Sequence, residues 1–313
     1  MSAVAFLDAG ACWICGGSTS DRLHEAILDL TAYAEQDPEL ASYTGERIWL
    51  RRCGACGFAQ PERLPALPHY FDRMYDQRWS SDWIAGEFAA RYKDLIFARV
   101  LAGLERRLPP SRRALLDIGA HVGRFLDFAR SRGWKPEGVE LNPRTAAYAA
   151  ERTGIPVHRL NAQNLGSLGT RFDAVALIDV LEHIPQPIEM LAQVRAVMAQ
   201  GGWLVLKVPS GPAQHFKETT RALVVPRYRA TLADNLVHVN HFSPASLRLA
   251  LTRAGFDTVS IEVAAPEIPP GDGWRRRAAN AMRLTVFHAA RFTPGGLHTP
   301  HALNLQAYAR IAH

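Results

Sequence analysis

Residues 115–125 read L-L-D-I-G-A-H-V-G-R-F, and their reading decides the fold. Ala114 to Ile118 is a short apolar run of strand type, and a helix follows from Val122 to Arg132. Between them Gly119 permits the sharp turn off the strand, and Gly123 lets the helix start come close. A ligand seated on such a turn meets backbone N–H groups at the carboxyl edge of a sheet. A second acid, Glu140, ends the next strand, where a carboxylate suits the hydroxyls of a ribose. The loop is not G-x-G-x-x-G, so a dinucleotide is the weaker reading.

On either side of this turn the pattern alternates. Strands are expected at 137–141, 157–160, 172–178, 202–208, 258–264 and 305–311, with helices at 144–153, 188–198 and 244–254. Alternation of this kind predicts an α/β fold, a Rossmann-like sheet of seven mostly parallel strands, over residues 111–313. An arginine-edged amphipathic helix, Trp274 to Arg291, falls in an insert at about 266–300. Residues 69–110 read as a helical connector or lid. Tyr70, Phe71, Met74, Tyr75 and Trp79 recur at helical offsets, and a second helix is expected from Ala85 to Leu108, ended by Pro109 and Pro110.

The only cysteines are Cys12, Cys15, Cys53 and Cys56, in C-W-I-C-G-G and C-G-A-C-G-F. Each C-x-x-C places two sulfurs on one tight turn, and two such turns supply four thiolates to a tetrahedral Zn²⁺. The 37 residues between Cys15 and Cys53 exceed the usual ribbon spacing, so a hairpin or small insert is expected between the pairs. Two disulfides are the alternative, disfavoured in a reducing compartment. A thioredoxin-like redox pair leaves the second C-x-x-C unexplained. Structural zinc is the expectation, holding residues 1–68, a lobe too small for a core of its own, together with the proline-containing linker 61–68.

Composition is that of an ordinary globular chain: 313 residues, 48% apolar, 21% charged, with 36 Lys+Arg against 30 Asp+Glu for a net charge of +6. No window approaches a membrane span, and Met1 to Asp8 lacks the basic and apolar regions of a secretory signal. The protein is therefore expected to be cytoplasmic and without a membrane partner. Lysine occurs only at positions 93, 135, 207 and 217, the other basic residues being arginine. Arginine codon usage in a GC-rich genome and a surface for phosphate or nucleic acid both account for this.

The ordered segments D-I-G-A-H-V-G, G-V-E-L-N-P, F-D-A-V-A-L-I-D-V-L-E-H-I-P-Q-P, G-G-W-L-V-L-K-V-P and H-V-N-H-F-S-P-A-S-L-R-L-A-L-T-R-A-G-F resemble the class I S-adenosylmethionine-dependent methyltransferases. The resemblance covers roughly residues 112–265 and the last strand. It implies that Asp117, Gly119, Ala120, His121 and Gly123 surround the methionine part of S-adenosylmethionine, and that Glu140 binds the ribose with Leu141 against the adenine. It further implies Asn161 and Ala162 at the adenine edge and Asp179 beside the transfer site. His121 replaces the usual middle glycine, and Asn161 stands where the family usually has aspartate. D-V-L-E-H also resembles a divalent-metal motif of some quinone-type O-methyltransferases, with Asp179, Glu182 and His183 as ligands.

Methyl transfer is an in-line displacement at a sulfonium methyl, so the protein must align a nucleophile and remove its proton. Candidate bases are His183, His241, His238 and Asp179; bracing of a loop by His183 and core packing of the other two histidines are the competing readings. A zinc lobe joined to such a domain resembles enzymes of bacterial glycan, nucleotide-sugar and natural-product pathways. This implies a small-molecule acceptor, phosphate-bearing if the arginines serve it, under a lid carrying Tyr70, Tyr75, Trp79 and Trp83. An RNA methyltransferase touching phosphates through Arg275, Arg276 and Arg277 is one alternative, although the cysteine knuckles hold few basic residues beyond Arg51 and Arg52. A zinc-dependent scaffold with a degenerate pocket is another.

Overall fold

The computed structural model describes residues 4–76 and 81–311, with 75, 76, 162 and 163 described by backbone alone. Trp79 lies outside the described residues, as does the side chain of Tyr75.

The first 68 residues hold β1 (Phe6–Asp8), β2 (Asp21–Ile27), the short helix α1 (Pro38–Ala41), β3 (Arg47–Arg52), β4 (Ala59–Pro61) and β5 (Arg63–Pro65). β2, β3 and β4 form an antiparallel sheet and β1 pairs with β5. The hairpin expected between the cysteine pairs is β2 with β3. Against expectation, the lobe has an apolar core: Leu28, Leu30, Leu40, Ile48 and Leu50 are buried together with Tyr43. Alternation along β3 explains it, since Ile48 and Leu50 point inward between exposed or half-exposed neighbours.

The connector holds α2 (Tyr70–Asp76), α3 (Ser81–Ala89) and α4 (Asp94–Glu105). The single helix expected from 85 to 108 is thus two. The break is polar, Arg91-Tyr92-Lys93, with Arg91 left-handed at φ 56° and its Nε 2.9 Å from Asp94 Oδ2. Apolar periodicity continued across the break and hid it.

The large domain runs β6 (Ala114–Ile118), α5 (Arg124–Ser131), β7 (Lys135–Val139), α6 (Pro143–Thr153), β8 (Val157–His158), β9 (Phe172–Ile178), α7 (Pro187–Ala196), β10 (Met198–Pro209), α8 (Gly211–Val224), α9 (Pro244–Arg253), β11 (Phe256–Val263), α10 (Trp274–Phe292) and β12 (Asn304–Ile311). The seven-stranded sheet has the order β11-β12-β10-β9-β6-β7-β8. Pairing is parallel from β10 through β8, and β12 runs antiparallel between β10 and β11. Its central strands are apolar on both faces because helices cover both; Leu204, Val205 and Leu206 are all fully buried. Helix α8 was not anticipated, although Ser210-Gly211-Pro212 carries a start signal, Ser210 Oγ accepting from the Ala213 N–H.

The two parts share a core. Cys12, Ile14, Cys53 and Phe58 belong to the same buried cluster as Phe242, Leu247 and Leu206. Backbone bonds pair Ala59 with His241, and Arg253 donates to the Ile14 carbonyl at 2.7 Å.

Candidate active site

The turn after β6 is built from left-handed backbone. Gly119 has φ 78° and Gly123 φ 80°. A Cβ on Gly119 would lie 2.5 Å from Val180 Cγ2, and one on Gly123 2.9 Å from Ala149 Cβ. The turn is therefore wedged between the loop after β9 and helix α6. Its N–H groups at Gly119 and Ala120 donate to the Val139 carbonyl at 2.8 and 3.0 Å. His121 is also left-handed, at φ 51°. Its N–H donates to Glu140 Oε2 at 2.7 Å, while the N–H of Asn142 donates to Oε1 at 2.9 Å. Glu140 thus ties the turn after β6 to the turn after β7.

Both turns open on a cavity of about 800 Å³. Asp117, Gly119, Ala120, His121, Glu140, Leu141, Asn161, Asp179 and His183 line it. Gly123 does not line the cavity, although its chain neighbours Val122 and Arg124 do. The side chain of Ala162 lies outside the described residues. Leu64, Leu67, Tyr70 and Phe71 close the cavity from the N-terminal lobe and connector, and Asn161 reaches Asp72 at 3.5 Å. Trp83 packs its ring edge on His121 at 5.3 Å between centroids.

The electrostatics of this cavity are set by burial. The Asp117 carboxyl makes no hydrogen bond among the described residues and is 3% exposed. Burial, then the nearby Glu140, push it well above the usual carboxylate range. A buried carboxyl facing a cavity without a protein partner is the chemistry that receives a ligand ammonium. Burial raises Glu140 as well. It lowers His121 to about 4, helped by the charge of Lys93, so that imidazole is neutral.

Asp179 is left-handed, at φ 58°, and accepts from two lysines: Lys207 Nζ at 2.5 Å on Oδ1 and Lys93 Nζ at 2.9 Å on Oδ2. Burial alone would raise its carboxyl, but Lys207 and Lys93 hold it well below the usual range. A carboxylate so bound is a poor proton acceptor, which argues against Asp179 as the base. Lys93 and Lys207 were missed in the sequence. The signal was their rarity, and Lys93 sits at the N-terminal end of α4, beside the break in the connector.

The imidazole Nδ1 of His183 lies 2.5 Å from the Val237 carbonyl, and its ring meets that of His238 at 4.8 Å between centroids. Glu182, His183 and His238 bring ligand atoms within 4.8 Å of one another. Asp179, expected to complete that set, is engaged by the two lysines instead. Burial, then Asp179, raise Glu182 to about 8, keeping it a neutral acid at pH 7. A second cavity of about 470 Å³ shares Lys93, Asp179 and His183 with the first and is also lined by Glu182, Lys207 and His238. His241, one of the candidate bases, falls on the core-packing side of the two readings. It is 1% exposed, lines neither cavity, and lies under β4 because its backbone bonds to Ala59.

The profile of a methyltransferase-domain family matches residues 89–261, 173 of 313 residues. The chain belongs to this methyltransferase family. It is 30% identical over 156 residues to the ubiquinone biosynthesis O-methyltransferase of Cereibacter sphaeroides (strain ATCC 17025 / ATH 2.4.3), covering 45% of this chain and 62% of that protein. It is 26% identical over 196 residues to the protein of the same name from Xanthomonas axonopodis pv. citri, covering 59% and 77%. A crystal structure of a SAM-dependent methyltransferase from Archaeoglobus fulgidus aligns with a TM-score of 0.47 at 19% identity, over 72% of this chain and 96% of that one.

Outside the matched segment, this methyltransferase-family chain carries its cysteine cluster. Sγ atoms of Cys12 and Cys56 are 3.6 Å apart and those of Cys15 and Cys53 3.4 Å. A disulfide would bring sulfurs to about 2.05 Å. A ZnS₄ tetrahedron with Zn–S of about 2.3 Å has edges of about 3.8 Å. All four sulfurs lie within 4.8 Å of one another, and the donor set fits zinc. Among the described residues, no helix is long and apolar enough to cross a membrane.

Proposed function

We propose that this protein transfers a methyl group from S-adenosylmethionine to a hydroxyl of a small molecule, a sugar, nucleotide sugar or natural-product intermediate, in a reducing cytoplasm. The observation that carries the reading is the unpartnered Asp117 carboxyl facing the same cavity as Glu140. The names of the O-methyltransferase relatives favour oxygen as the acceptor atom.

When bound, the cofactor supplies an electrophilic methyl on a sulfonium. Asp117 receives the amino group of its methionine end, beside Gly119, Ala120, His121 and Gly123. Glu140 accepts from the ribose hydroxyls, Leu141 packs on the adenine, and Asn161 with Ala162 flanks its edge. His183 removes the acceptor proton: a carbonyl only accepts, so Nδ1 holds the proton shared with Val237 and Nε2 carries the lone pair. Asp179 positions the wall between the two cavities through its lysines. Cys12, Cys15, Cys53 and Cys56 hold structural Zn²⁺ as thiolates, fixing the lobe that roofs the cavity.

An RNA acceptor is less well supported, because Arg275, Arg276 and Arg277 are exposed on α10 and line neither cavity. The open cavity beside His121 weighs against a degenerate scaffold. A screen of sugars, nucleotide sugars, phenols and RNA with methyl-labelled cofactor tests the reading. Label transferred to a small molecule supports it, and label transferred only to RNA contradicts it.

A further inference from the structure

Three of the four lysines in this chain, Lys93, Lys207 and Lys217, line the second cavity, with Arg283. That is an uneven use of the residue in a chain whose other basic residues are arginine. Lys207 is buried, at 4% exposure, in the middle of the sheet on β10, where an ammonium is costly to place without a purpose or a partner. Its partner Asp179 is shared with Lys93, so two ammonium groups face one carboxylate. Lys93 has only a distant second carboxylate, Glu267, at 3.9 Å. Lys217 on α8 and Arg283 on α10 form no ion pair among the described residues. Arg283 is instead held by the amide oxygen of Asn280 at 2.9 Å, and Asn280 is anchored on the Pro269 carbonyl at 3.0 Å.

The acidic side of this wall is weaker. Asp179 and Glu267 are the carboxylates facing the four cations. Glu182, the third acid of the wall, is buried at 2% exposure, so four cations face at most three carboxylates. The cavity therefore carries surplus positive charge in a partly enclosed space, where a charge is attracted more strongly than at an open surface. It adjoins the cofactor cavity across Lys93, Asp179 and His183, so a molecule anchored in it reaches the transfer position with its other end.

We propose that the second cavity is the acceptor's anchoring site and binds a phosphate group, held by Lys207, Lys217 and Arg283. The acceptor is then a phosphorylated small molecule, methylated at a hydroxyl beside His183. This assignment rests on the methyl-transfer reading for its role, but the anion site itself stands on the cavity. The arginines singled out in the sequence, Arg275 to Arg277, take no part in it.

Calorimetric titration of the full-length protein with inorganic phosphate, and separately with acetate, tests it, each with and without S-adenosylhomocysteine. Phosphate is expected to bind more tightly than acetate. Lys217→Ala and Arg283→Ala are each expected to weaken phosphate about tenfold or more, with adenosylhomocysteine affinity unchanged. Lys217→Arg should retain phosphate binding, which separates loss of charge from loss of fold. Phosphate that does not bind, binds no better than acetate, or binds both alanine variants like the parent overturns the proposal. Failure of adenosylhomocysteine to bind, with phosphate still dependent on Lys217 and Arg283, overturns the methyl-transfer reading and leaves the anion site standing.

Discussion

His183 directs its Nδ1 at the carbonyl oxygen of Val237, 2.5 Å away. Because that oxygen only accepts, the contact fixes the tautomer and leaves the basic lone pair on Nε2. With an acceptor found in the screen, His183→Gln should lower kcat by roughly 10²–10⁴. Adenosylhomocysteine affinity should stay within about twofold, since Asp117 and Glu140 are untouched. A variant with near-parental kcat would make His183 a loop brace, the reading the sequence also permitted.

The cysteine cluster lies in one buried core with Phe58 and Phe242, so metal loss should be felt beyond the lobe. Atomic emission should find one zinc per chain. Cys53→Ser should lose it and lower the melting temperature by roughly 10 °C. A zinc-free parent protein with undiminished stability would contradict the assignment.

His24, His215 and His241 stack in a row, with ring centroids 5.1 and 5.2 Å apart. Burial lowers all three, His215 to about 3. A histidine lowered in the folded state contributes stability that is full above its unfolded value near 6.5 and is lost as pH falls below that toward its folded value. Thermal stability should therefore decline from about pH 6.5 downward. His215→Phe keeps a stacked ring but no titrating group, so its melting temperature should fall less steeply over the same range. Parallel curves for parent and variant would contradict this. The difference between the two also cancels any common effect of acid on the cysteine thiolates.

How far the sequence could be read follows from what its patterns encode. Strand 114–118 and the glycines of the following turn were legible because apolar runs and left-handed turns leave local marks; Phe172–Ile178 was read to the residue. Helix α8 was missed because its exposed apolar residues, Phe216 and Leu223 among them, spoil the amphipathic period. The connector break was hidden for the opposite reason, an apolar period that continues on both sides of Arg91. Asp117 and Glu140 could be named from position. The pairing of Asp179 with Lys93 and Lys207 could not, since it joins residues 86 and 28 positions apart. The sequence left His241 open between base and core packing, because one histidine in H-V-N-H looks like another until β4 is seen to cover it.

The claim on which the rest depends is that the Asp117–Glu140 cavity holds the adenosyl cofactor. Calorimetric titration of S-adenosylhomocysteine into the parent protein and into Glu140→Ala tests it most directly. The account predicts one site per chain in the parent and at least about tenfold weaker binding in the variant, which loses the charged acceptor for the ribose. No binding by the parent, or equal binding by both, would contradict it.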